Sequence, residues 1–246
     1  RHVWLIETAD VHFKHWGTFV TTPVVAQDDL SRVDVQTVIV NESDRDRVLD
    51  MCFKIAQDES IGGGFSSMHS RTVRVKPHEE LEVSHLFDVP HAHLWSPDTP
   101  HLYHATLTIS ENNKPIDVTT QTFGIRSIAF NSEQGFLLNG QPIKLNGGCL
   151  HHDNGILGAA AFDRAEERKA ELMKAAGFNA VRTSHNPPSE AFLDACDRIG
   201  LLVIDEAFDG WRSAKNPYDY STLIDEHWQA DLSALVLRDR NHPSVI

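Results

Sequence analysis

Two short apolar strands in the second half of the chain each end in side chains that could do chemistry. These strand ends carry guanidinium, imidazole, amide and carboxylate groups, namely Arg182, His185, Asn186, Asp205 and Glu206. A helix with clear start and stop signals separates the two strands, which is the repeating unit of a parallel α/β barrel. Such a barrel carries its chemistry at the C-terminal ends of its strands. Polar residues cap strands in many α/β folds, but several reactive strand ends in succession favour a binding site.

The adjacent carboxylates of Asp205 and Glu206 could be taken for a catalytic pair. Adjacent residues of a strand point to opposite faces of the sheet. The two carboxylates are therefore not expected to act together on one bond of a substrate. One of them is expected to face the barrel interior, and the other to face the helices or a neighbouring loop.

The elements that must position these side chains alternate between strand and helix from about residue 134. Residues 136–145 are predicted to form a hairpin around Asn139-Gly140, a strong turn dipeptide. Asp163 and Glu166 predict a helix that begins with a capping box. Ser189 and Gly200 are expected to start and stop the next helix. A last helix is predicted from about residue 223 to 240, and another strand from residue 244.

The first half of the chain has a different pattern. Apolar and polar side chains alternate, as in half-buried strands, within residues 33–40, 48–56, 71–76, 79–84, 102–110 and 116–123. Turn-forming residues such as Glu111-Asn112-Asn113-Lys114 lie between these segments. Short antiparallel strands at this spacing predict a β-sandwich of immunoglobulin-like type.

Composition argues against several partners. The 246-residue chain carries a formal net charge of −13. A negatively charged protein does not attract the phosphate groups of nucleic acids or of anionic lipids, so neither nucleic acid nor an anionic membrane is an expected partner. No apolar run approaches the roughly 20 residues that span a bilayer. Cys52, Cys149 and Cys196 are widely separated, which predicts free thiols rather than a zinc or redox motif. The chain begins without Met, so the natural N-terminus is expected to lie upstream. The compartment stays open, with a bacterial cytoplasm or periplasm expected.

The chain resembles glycoside hydrolase family 2, the family of β-galactosidases, β-glucuronidases and β-mannosidases. The resemblance rests on Asn-x-x-Arg-x-Ser-His at residues 179–185, followed by a helix, a glycine and an apolar strand that ends in Asp-Glu. It spans essentially the whole chain. The family commonly has Tyr-Pro after the His, whereas this chain has Asn186-Pro187. Together with residues 147–153 (Gly-Gly-Cys-Leu-His-His-Asp) and 205–211 (Asp-Glu-Ala-Phe-Asp-Gly-Trp), this departure favours the β-galactosidase branch.

The resemblance implies a domain organisation and an activity. Residues 1–22 would end a jelly roll, residues 23–125 would form an immunoglobulin-like β-sandwich, and residues 126–246 would form the first part of a TIM (β/α)8 barrel. The implied reaction is retaining hydrolysis of terminal β-glycosides, most of all β-galactosides, with β-glucuronides and β-mannosides as alternatives. Two carboxyl groups about 5–5.5 Å apart perform this reaction. The resemblance places both beyond Ile246, so the chain alone is expected to be inactive.

The resemblance also implies supporting roles for residues of this chain. Arg182 would hydrogen-bond the nucleophile and keep it ionised, although a structural ion pair would explain it nearly as well. The expected substrate-binding residues are Asp153, His185, Asn186, Trp211 and His152. Asp153 would accept a hydrogen bond from a sugar hydroxyl, and Trp211 would stack on a sugar face, although core packing is the commoner use of Trp.

Two other classes of function remain open at this point. A metal-dependent barrel hydrolase would use ligands converging on one point, and the candidates are His151, His152, Asp153 and His185. A non-catalytic carbohydrate-binding module would fit the sandwich half. The family requires no cofactor, and it leaves room for a divalent or monovalent metal ion in the full-length enzyme. The expected partners are a carbohydrate substrate and, at full length, further copies of the same chain.

Overall fold

The computed structural model describes residues 2–27, 29–58 and 64–246, and within these ranges it contains fourteen strands and three α-helices. The residues fall into two units. The first comprises His2–Trp95 with His101–Ser127, and the second comprises Ser96–Pro100 with Ile128–Ile246. No helix in the described ranges is long and apolar enough to cross a membrane.

Antiparallel strands build the whole of the first unit. In chain order they are β1 (Val11–Phe13), β2 (Phe19–Gln27), β3 (Leu30–Asn41), β4 (Arg47–Gln57), β5 (Ser66–Val75), β6 (Glu80–Pro90), β7 (Tyr103–Glu111) and β8 (Lys114–Phe123). In one sheet β3 pairs with β1, β2 and β6, and in the other the order is β5-β4-β7-β8. The turn between β7 and β8 has positive φ at Asn112 and Asn113, as its sequence predicts.

The core of the sandwich comes from one face of each strand. Val33, Val35 and Ile39 of β3 are buried, while their neighbours along the strand are less so. The inward residues of β4 and β7 alternate in the same way and join the same core. Burial of each large aliphatic or aromatic side chain contributes about 1.5–3 kcal/mol. The predicted immunoglobulin-like sandwich is confirmed.

The sandwich begins earlier than residue 23, where its start was predicted. Val11 lies opposite Asn41 and Val20 lies opposite Val35, so β1 and β2 both pair with β3. Val11 and Phe13 are buried in the core of the sandwich. Residues 11–22 therefore belong to the sandwich rather than to a preceding jelly roll, because their apolar side chains complete its core.

The second unit combines a small antiparallel sheet with parallel strands and helices. Its elements are β9 (Ile128–Asn131), β10 (Gly135–Leu138), β11 (Gln141–Pro142), β12 (Gly147–Leu150), α1 (Asp163–Ala175), β13 (Ala180–Thr183), α2 (Glu190–Ile199), β14 (Leu202–Ile204) and α3 (Ile224–Asp239). Strands β10 and β11 form the predicted hairpin, with φ of 52° at Asn139 and 73° at Gly140. Both angles fit a type I′ turn.

Three parallel strands in the order β12-β13-β14 carry the barrel pattern, and Val245 adds a parallel bridge to Val203. This sheet is the first part of a TIM barrel and does not close on itself within the described residues. Strand β12 was not predicted, because Gly147-Gly148 is a poor strand former. Glycine is needed there, since a Cβ on Gly147 would lie 2.1 Å from the Ala180 carbonyl oxygen.

The helix boundaries are partly as predicted. Ser189 Oγ accepts the backbone N–H of Phe192 at 3.2 Å, and Gly200 ends α2 in the left-handed conformation with φ of 75°. The capping box predicted for α1 is wrong. Phe162 is the N-cap and Asp163 is the first helical residue. Glu166 turns into a buried polar network instead of capping the helix.

Candidate active site

The parallel sheet brings the C-terminal ends of its strands to one edge. The register pairs Cys149 of β12 with Arg182 of β13, and Arg182 with Ile204 of β14. Because the chain leaves β13 and β14 at this edge, the next residues of both strands lie near Arg182. His185 and Glu206 are the side chains that reach it.

Glu206 is the centre of an ionic cluster with Arg182 and His185. Arg182 Nε lies 2.7 Å from Glu206 Oε2, and Arg182 Nη2 donates to Oε1 at 2.8 Å. His185 Nδ1 lies 3.0 Å from the same Oε1. Burial by itself would raise the pKa of Glu206, but hydrogen bonds from His185 and Arg182 outweigh it and lower the pKa. The carboxylate is therefore ionised and fixed in orientation near neutral pH.

The other side of the His185 ring faces a second carboxylate. His185 Nε2 lies 3.8 Å from Asp209 Oδ1, which also accepts a hydrogen bond from Lys215 Nζ at 2.8 Å. This hydrogen bond from Lys215 is the largest contribution to the lowered pKa of Asp209. The His151 ring meets the His185 ring edge-on, with 5.4 Å between ring centroids. The imidazole of His185 is thus held between two carboxylates and a second imidazole.

Cys149 places an exposed thiol beside this cluster. Arg182 Nη1 lies 3.5 Å from Cys149 Sγ. Hydrogen bonding from Ser184, and next from Arg182, lowers the pKa of the Cys149 thiol. A thiol with a lowered pKa reacts with electrophiles more readily, because the thiolate is the nucleophile.

Asp205 points away from Glu206, as predicted from strand alternation. Thr183 Oγ1 donates to Asp205 Oδ1 at 3.3 Å. Burial, followed by the neighbouring Asp239 carboxyl, raises the pKa of Asp205 to about 7. Asp239 itself forms an ion pair with Arg238. Asp205 and Glu206 therefore face different surroundings and different charges.

The other predicted site residues are distributed more widely. His152 and Asn186 line one small depression together with Glu166 and Lys169. Asp153 Oδ1 accepts the backbone N–H of Gly155 at 2.9 Å within its own turn. Trp211 is 64% exposed, and its ring meets Phe208 edge-on at 5.9 Å.

The structure therefore brings only some of the predicted residues together. Within the described part of the chain, the hydrogen bonds, ion pairs and ring contacts of Asp153 and Trp211 do not reach Arg182, His185 or Glu206. Both residues lie in loops that follow strand ends, which is compatible with a place near the site. Their substrate-binding roles stay predictions.

The four candidate metal ligands are not gathered by the structure. Among the described residues, the group whose ligand atoms lie within 4.8 Å of one another is Asp194, Asp197 and His242, which contains none of the four. His242 Nδ1 lies 2.6 Å from Asp197 Oδ2, and the Ser244 N–H donates to Asp197 Oδ1 at 3.0 Å. Asp197 thus anchors the turn after α3.

Three residues that contact His185 are not among the residues that the sequence predicts to bind substrate. The sequence places Glu206 at a reactive strand end and offers His151 as a candidate metal ligand, whereas Asp209 has no predicted role. The Asp-Glu dipeptide at the end of an apolar strand was the available signal for Glu206, because one of two adjacent carboxylates must face Arg182. No local pattern identifies Asp209, since a loop brings it to His185.

An antiparallel sandwich joined to the opening strands of a TIM barrel, with charged residues at the strand ends, defines the architecture of a barrel glycoside hydrolase. The chain belongs to glycoside hydrolase family 2. The family model "Glycosyl hydrolases family 2" matches residues 11–126, and "Glycosyl hydrolases family 2, TIM barrel domain" matches residues 129–246.

Similar proteins come from several bacteria. Beta-galactosidase BoGH2A of Bacteroides ovatus is 39% identical over 247 residues, which is 100% of this chain and 28% of that protein. A crystal structure of a glycosyl hydrolase family 2 member from Bacteroides cellulosilyticus is 50% identical with a TM-score of 0.92, over 97% of this chain and 30% of that one. The Bacteroides uniformis beta-glucuronidase is 26% identical with a TM-score of 0.84, over 97% of this chain and 28% of that one. The chain thus spans less than a third of the length of these relatives.

Proposed function

We propose that the full-length protein hydrolyses terminal β-glycosides with retention of configuration, and that this chain supplies part of the sugar pocket. The observation that carries the proposal is the cluster of Arg182, His185 and Glu206 at the C-terminal ends of adjacent parallel strands. Substrates of TIM-barrel enzymes bind at this end of the barrel. The resemblance to β-galactosidases and β-glucuronidases supports the same reaction class.

Asp205 and Glu206 are not the two reacting carboxyl groups in this proposal. Retaining hydrolysis requires two carboxyl groups that flank one bond about 5–5.5 Å apart. Glu206 is already held by a guanidinium and an imidazole, whereas Asp205 faces Thr183 and Asp239. Arg182 and His185 are assigned supporting roles, in which they bind and orient groups that react. The acid/base and the nucleophile are supplied by other parts of the full-length barrel.

The proposed substrate is a neutral β-glycoside, with a β-galactoside first among the candidates. A glucuronide adds a carboxylate that needs a cation to receive it. The cations in this cluster are already paired, because Arg182 contacts Glu206 and Lys215 contacts Asp209. The 39% identity to a β-galactosidase also supports this choice. β-Glucuronides and β-mannosides remain the alternative substrates.

The test is hydrolysis of aryl β-galactoside, β-glucuronide and β-mannoside by the full-length protein. We expect the galactoside to have the highest kcat/KM, and proton NMR to detect the β-anomer of the sugar as the first product. Release of the α-anomer first would contradict retention. Binding of galactose without turnover of any of the three glycosides would instead favour a carbohydrate-binding module.

A further inference from the structure

A single threonine hydroxyl lies between the ionic cluster and the half-buried carboxyl of Asp205. Thr183 is 4% exposed, and its Oγ1 accepts the backbone N–H of Glu206 at 3.1 Å. The same Oγ1 donates to Asp205 Oδ1 at 3.3 Å. A hydroxyl carries one proton and an amide nitrogen can only donate. The N–H of Glu206 therefore occupies a lone pair of Thr183 Oγ1, and the hydroxyl proton of Thr183 points to Asp205 when that carboxyl is ionised.

The hydrogen bond from Glu206 fixes the backbone at the point where the reactive strand end begins. Glu206 follows the last paired residue of β14 by only two positions, and no ladder bond to β13 extends beyond the pairing of Arg182 with Ile204. The hydrogen bond to Thr183 takes over the role of the ladder there. It holds the main chain from which the Glu206 side chain reaches Arg182 and His185.

The carboxyl on the other side of Thr183 lies beside a carboxyl at the end of α3. Asp205 lies against Asp239, which is 1% exposed. Arg238 pairs with Asp239 and also donates to the backbone oxygen of Pro188 at 2.9 Å. Arg238 thereby connects the loop after β13 to Asp239, the neighbour of Asp205. A rotation of the Thr183 hydroxyl away from Asp205 would leave the part-buried Asp205 Oδ1 without its donor, which is unfavourable.

We propose that Thr183 is a positioning residue, whose hydroxyl couples the half-buried Asp205 carboxyl to the backbone of Glu206 and so sets the geometry of the Arg182–Glu206–His185 cluster. The inference rests on the proposed function, since it concerns the same site. Thr183 acts only through its neighbours. Misplacement of binding groups by about 1 Å can cost 10²-fold in rate. The hydroxyl is therefore expected to affect turnover more than folding.

The test compares Thr183→Val, which loses the hydroxyl, with Thr183→Ser, which keeps it, in the full-length protein. We expect T183V to lower kcat with the best aryl glycoside by about 10- to 100-fold with a smaller change in KM, and T183S to recover most of that loss. The control is Thr106→Val in the sandwich, where an exposed Thr106 Oγ1 lies 3.2 Å from Thr120 Oγ1. T106V should keep wild-type kcat.

A second measurement does not depend on activity. Hydrogen exchange of the peptide containing the Glu206 amide should be about 10-fold or more faster in T183V than in the wild type, and near wild-type in T183S. If no glycoside is turned over but the exchange pattern holds, the proposed function fails and the positioning role of Thr183 stands.

Three results would overturn the inference. One is a T183V protein whose kcat lies within about 3-fold of wild type, because a hydroxyl that positions the cluster must affect the rate. Another is unchanged Glu206 exchange in T183V. The third is failure of both T183V and the smaller Thr183→Ala to fold, which would show that the hydroxyl serves the fold alone.

Discussion

Arg182 and Glu206 lie at the ends of neighbouring parallel strands and meet through two contacts, of 2.7 and 2.8 Å, between guanidinium nitrogens and carboxylate oxygens. The two residues are 24 positions apart in the chain, with the whole of α2 between them. The contact arises because the register of β13 and β14 places Arg182 opposite Ile204. Its planar, two-point geometry is one that arginine provides and lysine does not.

Arg182→Lys tests the need for this geometry. Lysine keeps the positive charge but cannot reproduce the two contacts that the planar guanidinium makes with Glu206, so the carboxylate loses its fixed orientation. We expect kcat/KM of the full-length protein to fall by about 10-fold or more with the best aryl glycoside. The control is Arg32→Lys, because Arg32 forms an exposed pair with Asp88 in the sandwich. Equal activity of R182K and wild type would show that the guanidinium geometry of Arg182 is not needed at the site.

His185→Ala tests the contribution of the imidazole. The ring lies 3.0 Å from Glu206, and it is expected to contact sugar hydroxyls more strongly in the transition state than in the ground state. We expect kcat/KM to fall by about 10²-fold or more. The matched control is His78→Ala, since His78 forms an exposed contact with Asp44 in the sandwich. A loss of the same size in H78A would indicate a general effect on folding.

Cys149 and Cys196 should differ in reactivity. The pKa of the exposed Cys149 thiol is lowered by Ser184 and Arg182, whereas burial raises the pKa of Cys196 well above its ordinary value. We expect iodoacetamide to alkylate Cys149 at least about 10-fold faster than Cys196 at pH 7.5. Peptide mass spectrometry of the native protein measures both rates in one sample. In Arg182→Gln, Cys149 should react more slowly, and an unchanged rate would show that the guanidinium does not support the thiolate.

Asp205 should make the stability of the protein depend on pH. Burial and Asp239 raise its pKa to about 7 in the folded state, whereas an unfolded Asp titrates near about 3.9. The folded state therefore binds more protons between these values, and its free energy of unfolding falls as the pH rises from about 4 to about 7.

Asp205→Asn removes this titration, so the variant should lose less stability than the wild type between pH 5 and pH 8. Urea unfolding at the two pH values measures the difference. The control is Asp44→Asn, because the side chain of Asp44 is almost fully exposed. A parallel pH dependence in D205N and the wild type would contradict the prediction.

Glu166 should be important for stability. Its buried carboxylate contacts Lys169 Nζ at 2.8 Å, Asn154 Nδ2 at 2.9 Å and Ser189 Oγ at 2.8 Å. Glu166→Ala leaves these donors without their acceptor, and we expect a loss of about 3 kcal/mol in the free energy of unfolding. The neighbouring Glu167 forms surface ion pairs with Arg164 and Arg198, so Glu167→Ala should cost about 0.5 kcal/mol. Similar losses in the two variants would contradict this assignment.

The same carboxylate predicts acid sensitivity. Burial alone would raise the pKa of Glu166, but hydrogen bonds from Lys169, Asn154 and Ser189 lower it. The stabilisation is therefore present above the unfolded pKa of about 4.3, and it is lost as the pH falls through the lower folded pKa. The difference in stability between wild type and E166A should shrink accordingly below about pH 4.

The sequence by itself determined those elements whose causes are local. Alternation of apolar residues fixed the sandwich strands, because a side-chain period of two leaves one face for the core. Asn139 and Gly140 both adopt positive φ angles readily, so this dipeptide determined the hairpin turn. Ser189 and Gly200 determined the two ends of α2. The sequence also predicted Arg182 and His185 as site residues from their positions after apolar strands, and the structure places both beside Glu206.

Only the tertiary structure decided the features that depend on distant partners. Strand β12 exists because β13 pairs with it, although Gly147 has little strand preference of its own. Glu166 does not cap α1 as predicted, because its carboxylate accepts hydrogen bonds from Asn154 and Ser189, which lie in other segments of the chain. The register of β13 and β14 places Glu206 next to Arg182. Asp205 points to the opposite side, where it contacts Thr183 and Asp239. These contacts join residues that are far apart in the sequence. The spacing of residues along one strand therefore does not predict them.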